Sequence, residues 1–403
     1  MENKNSKPLS SLIFIPLLSL LFIRPFVSGL SYPVFEFYYE ITIITIAIIT
    51  IMPLIKLHKL PSATCAVKYG WILLLSAAYL ISTITSINIQ NSIKETLKFA
   101  SYIAIFFTVL QADANQKKSI IKTIVIASLI ISVYSIYQYI WGYSYTIEYA
   151  KKINSSLLNP PHNIYAKNIL INKRAIGTFP SPNILGGYLL MAFFLALAIL
   201  KNQVSHKRWL FAPPLIIIAL MLTKSLGAWI SFIAIFIILF FTSYNAIKKH
   251  KVLLIISFAC ITLTMLFIIL GRWDRITDLG SHHNSISMRF NYWKTAMAII
   301  KDHPFIGIGP GNFQQIFLKY YTLGWGTGTK YAHNVFLQLW LETGILGFIS
   351  MLYLTIAFIT KNALKSSYVF LAALTFFLHN LIDITYFIPE TGLIWWAIMG
   401  LLF

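Results

Sequence analysis

The chain has 403 residues, 58% of them hydrophobic and 15% aromatic, with a formal net charge of +20 and a mean hydropathy of +0.73. That balance excludes a soluble globular domain, gives no reason to expect a nucleic-acid partner, and describes a polytopic helical membrane protein. Cys65 near a basic loop and Cys260 inside an apolar run cannot meet across a membrane, so neither a disulfide nor a metal centre is expected.

Apolar runs lie at 9–28, 37–56, 69–87, 97–112, 120–141, 183–200, 209–223, 226–243, 252–270, 335–360, 367–388 and 392–403. Each approaches the roughly 20 residues needed to cross a bilayer, which predicts an all-α polytopic membrane protein of about twelve transmembrane helices in a single domain, 1–403. The first run has a basic start, but Arg24-Pro25 interrupts it and no small-x-small cleavage site follows, so it reads as a retained helix. Lys4, Lys7, Lys56, Lys59, Lys68, Lys117, Lys118, Lys122, Lys201, Lys207, Arg208, Lys248, Lys249, Lys251, Lys361 and Lys365 share one side of this plan. The positive-inside bias makes that side cytoplasmic, puts both termini there, and turns two long loops, 142–182 and 271–334, outward.

Those outward loops are themselves basic. The first holds Lys151, Lys152, Lys167, Lys173 and Arg174; the second holds Arg272, Arg275, His282, His283, Arg289, Lys294, Lys301, His303, Lys319 and Lys330. Long loops translocate regardless of charge, and anionic lipid accounts for the cytoplasmic rim. The outer surplus instead invites an anionic partner.

The first five runs carry few polar groups and read as scaffold, with Glu36 and Glu40 placed either to pair with Arg24 or to mark the interface. Pro180 and Pro182 forbid helix before Asn183, which is expected to cap the sixth run. Arg174, just before a Gly-Thr turn, suits either a bidentate grip on phosphate or snorkelling to lipid headgroups. Lys224, alone between the seventh and eighth runs, is an anchor or adds to the positive field of a helix start. In the second outer loop, Phe290, Trp293, Met297 and Ile300 recur at helical spacing and predict an amphipathic helix. Arg289 sits near its N-terminus, where a cation is disfavoured unless an anion shares the site. The segment 303–313 (HPFIGIGPGNF), with Gly307, Gly309 and Gly311, is a shaped loop.

His333 then falls at the mouth of the tenth run, above a polar stripe of Asn334, Gln338 and Glu342. A carboxylate at that depth must face protein or water, and His379 and Asp383, four residues apart in the eleventh run, are candidate partners in what is otherwise a structural polar network.

Arg174 with Gly177-Thr178-Phe179 and Pro182-Asn183, Thr223 to Trp229, Arg289 with Trp293, the 303–313 loop, and His333-Asn334 with Glu342, Gly344 and Gly347 together resemble the O-antigen ligase and O-antigen polymerase superfamily of bacterial envelopes over about 170–350. The resemblance implies a GT-C-like membrane glycosyltransferase in the bacterial inner membrane, with a periplasmic active site and two periplasmic loops. It implies a glycan taken from undecaprenyl diphosphate, without metal, nucleotide or other cofactor, onto a lipid A-core sugar hydroxyl (ligase) or a growing polysaccharide (polymerase). His333 takes the role of the family's essential histidine and Arg289 that of a diphosphate-binding arginine. Asn183, Asn334, Gly309 and Gly311 join the candidate substrate-binding set. Where family ligases commonly carry arginine after the serine of a Thr-x-Ser motif, this chain has Leu226, which moves a second diphosphate contact to Lys224 or Arg174. A transporter would instead be expected to put charge near the midplane on broken helices, with an internal repeat.

Overall fold

The computed structural model describes residues 8–29, 31–56, 63–153, 169–170, 172–202, 207–247, 277, 284–321, 329–362 and 367–403, and the regular elements among them are all helical. In chain order these are α1 (Ser11–Ile23), α2 (Pro33–Lys56), α3 (Ala63–Ile84), α4 (Ile89–Leu110), α5 (Ala114–Tyr137), α6 (Tyr143–Ile153), α7 (Pro182–Asn202), α8 (Ala212–Thr223), α9 (Leu226–Ile247), α10 (Ser285–Asp302), α11 (Phe313–Tyr320), α12 (Val335–Asn362), α13 (Tyr368–His379) and α14 (Pro389–Leu402). Helices Pro33–Ile51, Ala114–Ile153, Pro182–Lys201 and Val335–Asn362 are long and apolar enough to cross a membrane, and shorter apolar helices accompany them. The chain is an integral membrane protein. The expected run 252–270, with Cys260, lies outside the described residues, as do Lys167, Arg272, Arg275, His282 and His283.

Local chemistry sets the helix ends. Asn88 accepts from the amides of Gln90 and Asn91 to cap α4, and Asp113 with Gln116 forms a reciprocal capping box at α5. Pro33, Pro182 and Pro389 open α2, α7 and α14, where a missing N–H removes no helical bond. At α7 the expected cap is corrected. The helix already begins at Pro182, the Ser181 hydroxyl accepts from Ile184 N at 3.3 Å, and the Asn183 side chain is left free to point elsewhere.

Helix α7 is the axis of the bundle, packing on α5, α8 and α13. Its Gly186 lies against Ala228 and Ser225, and its Gly187 against His379 and Thr385, so closely that an added Cβ would stand 3.0 Å from Ala228 Cβ and from Thr385 Cγ2. Small residues permit such backbone approach in membranes, where burial alone does not drive helices together. Helix α14, although short, is buried along most of its length and packs on α4, with Trp396 stacked on Trp71 at 5.9 Å.

Helix α10 lies on α12 with Ala296, Ile299 and Ile300 buried, while Phe290 and Met297 face out. The expected apolar face is therefore split. Arg289 is tied inward, so the residues sharing its face at helical spacing, Tyr292, Ala296, Ile299 and Ile300, turn toward protein, and Phe290 and Met297 are rolled outward.

Helix α12 is not one continuous span. At Gly344 the backbone turns to φ 69 and ψ −170, conformations open to glycine alone.

Candidate active site

Two arginines from the two long loops converge on one carboxylate. Arg289 donates from Nη2 to Asp383 Oδ2 (2.9 Å), from Nε to the Ile382 carbonyl (2.6 Å) and from Nη1 to the Ser285 carbonyl (3.0 Å). Arg174 donates from Nε to the Thr223 carbonyl and from Nη2 to Asn183 Oδ1, both at 3.0 Å, and Asn183 Nδ2 donates to the same Asp383 Oδ2 at 2.9 Å. The order Arg174, Asn183, Asp383, Arg289 is thus one unbroken hydrogen-bonded row. His379 closes the row from behind, with Nε2 3.3 Å from the Asn183 carbonyl.

His333 stands beside this row in the left-handed conformation (φ 56), its ring stacked on Tyr292 at 5.6 Å and its Nδ1 shielded from solvent without a hydrogen-bond partner. The residue is half-buried by its overall surface, but the nitrogen is not. Burial is the largest effect on the ring and lowers its pKa to about 4, outweighing the opposite pull of Asp383. At neutral pH the imidazole is uncharged and can accept a proton.

Asn334, a candidate substrate contact by sequence, caps α12: its Oδ1 accepts from Phe336 N and Leu337 N, and its Nδ2 donates to the Leu381 carbonyl. It thereby ties the helix mouth to the loop that carries Asp383. The stripe below differs from expectation. Glu342 Oε1 accepts from Gln338 Nε2 at 2.7 Å and from Gly311 N at 2.9 Å, and Gln338 Oε1 accepts from Ala332 N at 2.5 Å. His379 and Asp383 are not its partners; they belong to the arginine row.

The glycine loop is spent on the broken helix. Ile308 N and Gly309 N donate to the carbonyls of Leu341 and Glu342 at 2.9 and 3.0 Å, Ile345 N donates to the Pro304 carbonyl at 2.9 Å, and the Ser82 hydroxyl also reaches the Glu342 carbonyl. Gly309 and Gly311, expected to bind substrate, therefore donate their amides to Glu342. A Cβ on Gly307 would meet the Glu342 carbonyl, and one on Gly344 would collide with that of Phe305. Lys224 has φ 49; its ammonium donates to the Asn172 carbonyl at 2.9 Å and lies over the Tyr139 ring, beside the segment that carries Arg174.

A second charged cluster was only partly visible in sequence. Arg24, fully buried, pairs with Glu36 at 2.6 Å and with Glu390 at 3.7 Å, while Glu95 pairs with Lys98 and with Lys330. Glu390, in the first turn of α14, was missed; an acid at a helix N-terminus was the available signal. The segment 381–390 carries both Asp383 and Glu390 and so joins the two clusters.

Residues 214–352 match the family described as O-antigen ligase. An uncharacterized protein of Haemophilus influenzae is 28% identical over 176 residues, covering 38% of this chain and 43% of that protein, so the chain spans less than half the length of the relative it matches. The family match takes in Lys224, Arg289, the glycine loop, His333 and the upper part of broken α12. Over these residues, about a third of the chain, the sequence is similar to the O-antigen ligase family.

Proposed function

We propose that the chain is a glycosyltransferase that moves a glycan from undecaprenyl diphosphate to a sugar hydroxyl at the periplasmic face of the inner membrane. The observation that carries it is the placing of a half-buried His333 beside a row of two guanidiniums, Arg289 and Arg174, held by Asp383 and Asn183. The incoming hydroxyl oxygen forms a bond to the anomeric carbon as the bond from that carbon to the diphosphate oxygen breaks. The hydroxyl proton passes to His333, and the electron pair leaves with the diphosphate. Charge grows on the leaving oxygen during this step, so guanidinium donors at the diphosphate stabilise the transition state more than the ground state.

Within this class the acceptor is proposed to be lipid A-core, which makes the enzyme a ligase. The test is the lipopolysaccharide ladder of a deletion strain. Bare core with polymer stranded on the lipid carrier is the expected result; core capped by a single repeat would assign a polymerase instead, and an unchanged ladder would remove both.

A further inference from the structure

Helices α5 and α6 run through a π turn at 138–142 as one rod, Ala114–Ile153, of 40 residues. At 1.5 Å per residue this is about 60 Å, twice the hydrocarbon thickness of roughly 30 Å. One face of its outer half carries Tyr134, Tyr137, Trp141, Tyr145 and Tyr149, all exposed, with ring centroids 6.4 Å apart for 134 and 137, 6.0 Å for 137 and 141, and 6.5 Å for 145 and 149. The π turn falls within this stripe. Its extra residue per turn offsets the drift of a four-residue spacing around an α-helix and keeps the rings in line.

Aromatic residues at a bilayer surface are ordinarily an interfacial belt. Height decides against that for the upper rings. Counted from Lys122, the last of the lysines at the inner end, Tyr145 and Tyr149 stand about 35 and 40 Å along the axis, above roughly 30 Å of hydrocarbon even at an average tilt of about 20°. Their neighbours Ser144, Thr146, Glu148, Lys151 and Lys152 are exposed polar groups, the surroundings of a helix in water rather than in lipid. The base of the stripe is fastened to the arginine row: the Tyr143 hydroxyl donates to the Arg174 carbonyl at 2.6 Å, and Gln138 Oε1 accepts from the amides of Ile176 and Gly177 at 3.1 and 3.0 Å.

We propose that this aromatic ladder is a binding platform for the glycan polymer of the donor, guiding the chain away from the diphosphate held at Arg174 and Arg289. Pyranose rings present faces of C–H bonds that pack on the negative face of an aromatic ring, while their hydroxyls stay in reach of Ser144, Thr146 and Glu148. Large, exposed, aligned rings of this kind mark a ligand surface on a solvated element. The proposal rests on the glycosyltransferase reading and adds to it a preference for long glycans.

The test uses the full chain in nanodiscs with two lipid-diphosphate donors, one bearing a single repeat and one bearing a long polymer. The combined variant Trp141→Ala, Tyr145→Ala, Tyr149→Ala removes exposed rings only. It is expected to lose about tenfold in kcat/KM for the long donor, the equivalent of three weak ring contacts, with the single-repeat donor unaffected. Equal loss on both donors, or no loss on either, overturns the ladder alone. A wild-type chain that transfers neither donor overturns the glycosyltransferase reading and the ladder with it.

Discussion

At Arg289 three guanidinium donors are already assigned, to Asp383, Ile382 and Ser285. Asp383 is thus an internal counter-ion, paired directly with Arg289 and through Asn183 with the buried Arg174, and the proposed diphosphate would offer more charge than this one carboxylate. Arg289→Ala is expected to abolish transfer in a protein that still inserts, and Arg289→Lys to restore only part of it, because an ammonium lacks the planar fork; full transfer by the alanine variant would remove the role. His333→Ala should lower turnover by roughly 10² to 10⁴ with donor affinity nearly intact, the pattern of a lost general base. Its pH dependence has a definite sign. The ring's pKa falls from 6.5 to about 4 on folding, so between those values the unfolded chain binds a proton that the fold refuses, and this group costs stability as pH falls through that window. For the same reason the acid limb of kcat/KM, which reports the free enzyme, is expected well below pH 6.5; a limb at 6.5 or above would take the base role from His333.

Among the elements, caps and proline starts act within one turn, as at Asn88, Asp113, Pro182 and Pro389, yet the one cap expected from sequence, Asn183, fell inside the helix that Pro182 already opens. Arg174, Arg289 and His333, singled out at loop and helix joints, are brought near one another by the fold. The break at Gly344 was not expected, since a lone glycine in an apolar run reads as helix. What requires it is the Phe305 carbonyl, 39 residues away in sequence. The partners of Glu342 were missed for a related reason: helical spacing aligns it with Gln338 but cannot say which segment lies across from it. Gly344→Ala should cost about 2–4 kcal/mol, from the positive φ together with the collision. Thermal unfolding checks this, and a variant as stable as wild type would mean that α12 can run straight. The broken helix itself was expected of a transporter. Here the carbonyls it frees at Leu341 and Glu342 accept from loop amides.

For the whole molecule, the expected outer surplus of positive charge suits the proposed anionic lipid-linked donor: Arg24, Lys98, Arg289 and Lys330 are held in two joined clusters with acidic partners, while Lys151, Lys152, Lys173, Lys294, Lys301 and Lys319 stay exposed. The proposed chemistry needs only a base and guanidinium donors, so the purified enzyme is expected to work in excess EDTA without added nucleotide. Loss of turnover with chelator and its return with magnesium or manganese would overturn that expectation. The break in α12 also bears on biogenesis. In lipid, unpaired backbone carbonyls cost several kcal/mol each, and those of Leu341 and Glu342 are paired by the 303–313 loop, with Ser82 also on Glu342; on the expected topology that loop crosses to the far side first and then folds back. The middle of this span thus matures after translocation rather than during it. Ser82 and Ser92, which fasten the same joint from α3 and α4, make its closure the step at which early-inserted and late-inserted parts of the protein are locked into one body.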